Sequence, residues 1–223
     1  MSHLPLFAAA LSLLASPALG YREGSVQAVI SGGTCNACNL QGADLFDQHL
    51  PGASLSRARL SGADMAESDL SGAIMEAVIL YGTDLSRATL TDAHLRNAAC
   101  AGASFEASDL TGATLHKAAC QGAIFDEANL TGADLSEGTF DGALFGGSIL
   151  NDANLAEADL RGADLQDALL VRADLRRADL RGALFTGADL TGANLTGANT
   201  AGADFTGALL CGSTGADGVI THC

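Results

Sequence analysis

From Leu40 to Leu210 every fifth residue is apolar, and Thr200 is the one exception among 35 positions. Two residues earlier a second beat runs from Ala43 to Ala208, where 27 of 34 positions are Ala and most of the others are Gly, Ser, Thr or Val. No insertion shifts the frame anywhere in the run. An amphipathic helix repeats its apolar face about every 3.6 residues and a half-buried strand every 2, so neither sustains a beat of five. A strict short period over most of a chain marks a solenoid, in which each unit buries its apolar face only against its neighbours.

A longer period lies inside the short one. Gly occupies position 42 and every twentieth residue after it up to 202, nine times in nine. The corresponding slot of the intervening pentapeptides is often charged or bulky, as at Asp47, Glu67, Arg87, Glu127 and Asp167. Twenty residues therefore read as one coil of four sides, with residues twenty apart stacked above one another. Gly recurring in register at one corner predicts a turn with positive φ there, where a Cβ would be penalised.

The stretches ADLRGADL (158–165), ADLTGANLTGAN (188–199) and ANLTGADL (128–135) carry a family resemblance. They resemble the pentapeptide-repeat family, with its A-(D/N)-L-x-x consensus, over roughly residues 38 to 212. The resemblance implies an all-β fold, a right-handed quadrilateral parallel β-helix of about nine coils. It also implies that the central Leu or Phe and the preceding Ala point inward and the other three residues outward. It carries no activity with it, because a repeat scaffold hosts many roles.

Four segments are expected: a signal peptide over 1–20, an N-terminal capping segment over 21–34, the β-helix over 35–212 and a C-terminal capping segment over 213–223. The stretch LPLFAAALSLLASPALG is apolar, short and interrupted by Pro, which suits a secretory signal cleaved after Gly20 or Ala18 better than a membrane span. Its first residues contain no Lys or Arg, and an apolar helix covering the open end of the solenoid is the other reading. No transmembrane segment is expected after cleavage.

The chain has 26 acidic and 11 basic residues, a formal charge of −15. That balance argues against direct binding of nucleic acid by a basic face. It suits either a solvated repeat surface or a carboxylate-studded rod imitating a nucleic-acid backbone. Similarity in repeat and acidity extends to pentapeptide proteins that bind DNA gyrase.

Six Cys are present. Cys35 and Cys38 stand at the entry to the repeat, and Cys211 and Cys223 bracket its exit. Disulfides pairing Cys35 with Cys38 and Cys211 with Cys223 are expected to staple the two ends, which otherwise expose unpaired edges. Cys100 and Cys120 occupy central slots one coil apart, and are expected to be buried thiols, because parallel Cβ vectors disfavour a bridge.

Several outward slots just before a central residue hold aliphatic side chains where Asp, Asn, Ser or Thr is usual. Ile124, Leu144, Ile149, Leu169 and Leu184 form a candidate partner or self-association surface, against the plain reading that single exposed aliphatics are ordinary. Arg161 and Arg181 stack beside Asp159 and Asp179 as a charge ladder. His94 and His116 are potential neighbours without an obvious third ligand, and Thr91, Thr111 and Thr131 form a short row that ends at Asn151. No catalytic residue, metal ligand or cofactor-binding motif emerges. The expected function is that of a non-enzymatic, exported interaction or structural scaffold, periplasmic or secreted, acting on an unknown protein partner through its flat faces or ends. The alternative is an acidic nucleic-acid mimic that binds a topoisomerase such as gyrase.

Overall fold

The computed structural model describes residues 23–219 and 221. Parallel bridges join residues twenty apart without a skipped step, from Asn39 with Arg59 to Asn194 with Thr214. Each coil has four such positions, one per side. We number the sides by their central residues: side 1 from Leu40 to Thr200, side 2 from Leu45 to Phe205, side 3 from Leu50 to Leu210 and side 4 from Leu55 to Leu195. The pairing consists of isolated bridges and not of extended strands. The reason is local: two of every five residues form a turn, so little of each side is left to run straight.

The pentapeptide is a nearly complete accounting of backbone donors. The central amide donates to the next coil, as Leu60 N does to Ile79 O at 2.7 Å. The amide before it donates to the previous coil, as Arg59 N does to Cys38 O at 2.9 Å. The second turn residue also reaches the next coil (Gly62 N to Tyr81 O, 2.9 Å), and the inward Ala closes the turn onto the preceding centre (Ala63 N to Leu60 O, 2.9 Å). One amide per repeat is left, that of the first turn residue. The Asp or Asn two positions earlier takes it: Ser71 N donates to Asp69 Oδ1 at 3.1 Å and Ala156 N to Asn154 Oδ1 at 3.1 Å. These are Asx turns, and they give the D/N of the repeat its physical purpose.

The second turn residue has φ between about 50° and 75° at every corner, as in type II turns. Gly42 (φ 67°) and Gly202 (φ 73°) show this at the in-register Gly corner. The other three corners adopt it as well, with non-Gly residues such as Glu67 (φ 60°) and Arg177 (φ 57°). Positive φ therefore belongs to the whole repeat, and Gly on side 1 does not mark a different turn.

Inside, the central residues and the small residues before them form one continuous buried core. Phe105, Phe125 and Phe145 stack with centroids 4.8 Å apart and nearly parallel rings. Phe140 meets Phe125 and Phe145 edge-on at 6.1 and 6.0 Å. Its ring occupies the space of a missing methyl: a Cβ on Gly138 would lie 2.4 Å from Phe140 Cε2. Where Ser replaces the inward Ala, its hydroxyl bonds a turn carbonyl, as Ser108 does to Phe105 O at 2.7 Å.

The two ends close differently. Helix α1, Glu23–Ile30, lays Val29 into the core and Val26 against it. It stops in a Schellman motif, with Gly33 N on Ala28 O at 2.8 Å, Gly32 N on Val29 O at 2.9 Å and Gly32 at φ 79°. At the other end Thr221 ties back to Gly212 and Ser213 through the backbone. Beneath it, Leu195, Thr200, Phe205 and Leu210 line a hollow of about 170 Å³, which is where the one polar central residue is tolerated. No described helix is long and apolar enough to cross a membrane.

Candidate interaction faces

With no insertion breaking the frame between residues 40 and 210, the chemistry available there is that of flat sides and corners. The outward Asp, Asn and Thr groups are largely committed to the backbone. Thr131 Oγ1 bonds Asn129 Oδ1 at 2.7 Å, and Asn129 Nδ2 donates to Thr111 Oγ1 at 2.9 Å, so the Thr row is tied down within the ladder.

Sides 1 and 4 carry paired charge. Arg161 grips Asp159 through two donors at 2.7 and 2.6 Å, and Arg181 grips Asp179 in the same way. On side 4 Arg176 bonds Asp174 at 2.5 Å and Arg177 reaches Glu157 at 3.1 Å across one coil, while on side 3 Arg172 reaches Asp152 at 2.5 Å. These guanidinium hydrogen bonds hold the carboxyls of Asp159, Asp174 and Asp179 below the usual carboxylate range. The pairs are largely exposed, so they order the surface more than they stabilise the fold.

Side 2 is different. Counting its outward residues and the turn that follows them, it holds eleven carboxylates against Arg87 alone, a formal −10. Side 1 carries three of each sign, side 3 five acidic against one basic, and side 4 five of each sign. On side 2 Arg87 lies 3.6 Å from Glu67, and no other ion pair is formed there among the described residues.

The aliphatic residues lie where sides 2 and 3 meet. Leu144, Leu169 and Leu184 are each 38–39% exposed, and Ile124 and Ile149 are half-buried. Bridges pair Ile124 with Leu144 on side 2 and Ile149 with Leu169 on side 3, so the five belong to two columns flanking one corner. An aliphatic residue in this slot cannot receive the first turn amide. At two repeats the coil before supplies a substitute: Gly146 N donates to Asp126 Oδ1 at 2.7 Å and Val171 N to Asn151 Oδ1 at 2.9 Å.

The sulfurs of Cys35 and Cys38 lie at disulfide distance, with Cα atoms 5.4 Å apart. Cys211 is disulfide-bonded, while Cys223 lies outside the described residues. Cys100 and Cys120 depart from the expectation of buried thiols. Their sulfurs are also at disulfide distance, with Cα atoms 4.4 Å apart at the short edge of the permitted range. The ladder brings the two Cα atoms close enough for the side chains to turn toward each other, which the parallel-vector argument did not allow for.

The described histidines form no ligand cluster. His49 pairs with Asp69 at 2.8 Å, and His116 contacts Ser136 at 2.9 Å. Among the described residues no group of three or more His, Cys, Asp or Glu is placed to hold a metal ion.

The family profile described as pentapeptide repeats matches in eight copies, over residues 38–76, 90–187 in overlapping copies, and 188–214. Among solved structures the chain is similar to HetL, a pentapeptide repeat protein involved in heterocyst differentiation regulation in the cyanobacterium Nostoc. Identity is 35% over 89% of this chain and 98% of that one, with a TM-score of 0.38. It is similar also to a pentapeptide repeat protein of the Arabidopsis thaliana thylakoid lumen, at 31% identity over 42% of this chain and 61% of that one, TM-score 0.34. QnrB1, a plasmid-mediated fluoroquinolone resistance protein, matches at 22% identity over 79% and 92%, TM-score 0.33. Among curated proteins none matches. A repeat profile spread over most of the chain establishes that this chain belongs to the pentapeptide-repeat family.

Proposed function

We propose that this chain is a non-enzymatic interaction scaffold, a rod of about nine right-handed coils that acts through its sides or ends and works outside the cytoplasm. The observation that carries the reading is the unbroken frame: from residue 40 to 210 the chain keeps its five-residue beat, and no lid or long loop leaves it there in which catalytic groups could converge. Binding must then be done by surfaces, and the sides differ in charge and apolar content while sharing one core. Export is supported by the apolar start of the chain and by cysteines at bonding distance, which persist in oxidising compartments. Mass spectrometry of the native protein's N-terminus tests it. A chain beginning at Tyr21 or Leu19 in the extracytoplasmic fraction is the expected result, and an intact Met1 in the cytoplasm overturns export.

A second reading is favoured by the charge of −15 and its concentration on one side. Here the rod imitates a nucleic-acid backbone and occupies the DNA-binding surface of a topoisomerase such as gyrase. A supercoiling assay with purified gyrase separates the two: inhibition or protection from quinolone poisoning at micromolar chain supports the mimic, and no effect supports the scaffold alone.

A further inference from the structure

The hydrogen-bond ladder is polar along the rod. In each repeat the central amide and the second turn amide donate to the next coil, and only the amide before the centre donates back, as Leu60 N, Gly62 N and Arg59 N show. Repeated around every coil, the imbalance leaves an excess of acceptors at the N-terminal end and of donors at the C-terminal end. At the N-terminal end the carbonyls of Asp44, His49 and Pro51 receive no hydrogen bond among the described residues. At the C-terminal end the amides of Thr200, Gly202, Phe205 and Gly207 have no acceptor among the described residues, and only the carbonyls of Ala198 and Ala203 stand free between them.

The chain covers only part of its C-terminal end. On side 3 Gly212 N donates to Thr221 O at 2.8 Å and Thr221 Oγ1 to Leu210 O at 2.7 Å, so the returning tail lies over that edge. Sides 1 and 2 have no such cover: their last bridges are those of Asn199 and Asp204 to the coil before, and no described residue pairs with them from beyond. The open edge borders the hollow walled by Leu195, Thr200, Phe205 and Leu210. A cavity of about 150 Å³ lined by apolar side chains takes a benzene ring. The hollow, at about 170 Å³, therefore admits one Leu or Phe side chain.

Unpaired donors beside unfilled apolar space are what an incomplete coil leaves. We propose that sides 1 and 2 of the C-terminal end capture an extended segment of a partner protein, which adds the next two sides of the coil by strand addition. Its carbonyls take the amides of Thr200, Gly202, Phe205 and Gly207, and its Leu or Phe enters the hollow. Gly202 (φ 73°) and Gly207 (φ 71°) set corners that the segment must follow, which asks for Gly two residues after each apolar residue. Asp204 stands on the edge, so the segment is neutral or basic. The proposal rests on the interaction-scaffold reading and gives that scaffold a binding tip. A second copy of the chain does not fit. Two C-terminal ends set face to face oppose donors with donors, and the acceptor-rich N-terminal end has its core covered by Val29 of helix α1.

The test uses the full chain and a dye-labelled, amidated peptide of Ala-Asn-Leu-Thr-Gly twice over, read by fluorescence anisotropy; a scramble of the same residues is the control. Saturable binding of the peptide and none of the scramble is expected. Two N-methylated peptides read the register. Methylating both Leu amides, which point away from the rod, is expected to change affinity less than about twofold, whereas methylating both Asn amides, which donate to Ala198 O and Ala203 O, should weaken it about fivefold or more. On the rod, Phe205→Glu puts a charge in the hollow and is expected to abolish binding. Thr200→Pro, which removes a donor without breaking a hydrogen bond of the fold, is expected to weaken it about threefold or more with an unchanged urea midpoint. No saturable binding, or equal loss with both methylated peptides, overturns the proposal. So does sedimentation showing that the peptide dissolves a dimer, because the edge is then a self-contact. These failures leave the scaffold reading standing; it fails separately if photo-crosslinkers placed in turn on the four sides and the C-terminal end capture no protein in cells.

Discussion

Sides 1 and 2 hang on the same core and repeat the same backbone, yet their charges are handled in opposite ways. On side 1 Asp159 and Asp179 are each clasped by an arginine two residues on. On side 2 Asp44, Asp64 and Asp84 stack in the equivalent slot, and no base stands within four residues of any but Asp84, near Arg87. The slot itself asks only for an oxygen that accepts the turn amide, and Asn meets that need as well as Asp does. What a side chain at this position does beyond the turn is therefore not dictated by folding. Charge left uncompensated on one side and neutralised on another is a property of the surface, which is where a rod without loops keeps its specificity.

The comparison presumes a common frame, and the largest effects should come from breaking it. Phe125→Ala removes the middle of the three-ring stack and is expected to cost about 3–5 kcal/mol in urea unfolding. If the sides share one core, amide exchange should accelerate on both sides of the coils concerned; a loss confined to side 2 would show that they do not. Cys100→Ser with Cys120→Ser removes a link that closes a loop of twenty residues on side 1, with an expected loss of about 3 kcal/mol. Unchanged stability, or free thiols by mass spectrometry without reductant, would show that side 1 is not stapled. Gly138→Ala places a methyl against the Phe140 ring and is expected to cost about 1–3 kcal/mol, with Phe140→Leu restoring most of it.

The charge differences themselves are smaller. The carboxyls of Asp159 and Asp179 titrate low in the folded chain because Arg161 and Arg181 bond them. Their contribution is thus present above the unfolded carboxylate pKa, about 3.9, and is lost as pH falls through the lowered folded value. Arg161→Gln with Arg181→Gln should lower the Tm slightly at neutral pH and low salt and move the acid-unfolding midpoint to higher pH. An unchanged acid midpoint would mean that the clasps order the side without stabilising it. The smallest effect is expected at Leu184→Asn, which restores an acceptor for the Thr186 amide and should hold or raise stability by about 0.5 kcal/mol. A loss above about 1 kcal/mol would give the leucine a structural purpose and weaken the reading of side 2 as a binding surface.

The beat of five marked the Leu, Phe and Ala columns, and the resemblance to pentapeptide repeats placed them inside, where a narrow interior admits one large and one small side chain per repeat. The Phe stack and the arginine ladder were readable for the same reason: a period of twenty turns sequence spacing into vertical contact. Other features needed coordinates. Glu67 and Arg177 carry no sign in the sequence that their φ is positive, since such residues rarely adopt it, and the shared Gly register drew attention to a single corner. The pairing of Cys100 with Cys120 depended on a Cα separation of 4.4 Å, less than the nominal coil spacing. The candidate surface was visible as aliphatic exceptions in a polar slot. That they adjoin an uncompensated acidic column became clear only when each charge was assigned to a side.

The direction of the backbone hydrogen bonds has a mechanical consequence. Every ladder bond joins one coil to the next and so lies along the rod axis. A force pulling the two ends apart along that axis loads the coils in series, and the outermost coil yields before those inside it. Each release pays out twenty residues, about 70 Å of extended chain. Stretched this way, the molecule should lengthen in equal steps from its tips inward, like a spring unwinding turn by turn, while the stapled side 1 around Cys100 and Cys120 holds two neighbouring turns together past the point where the others let go.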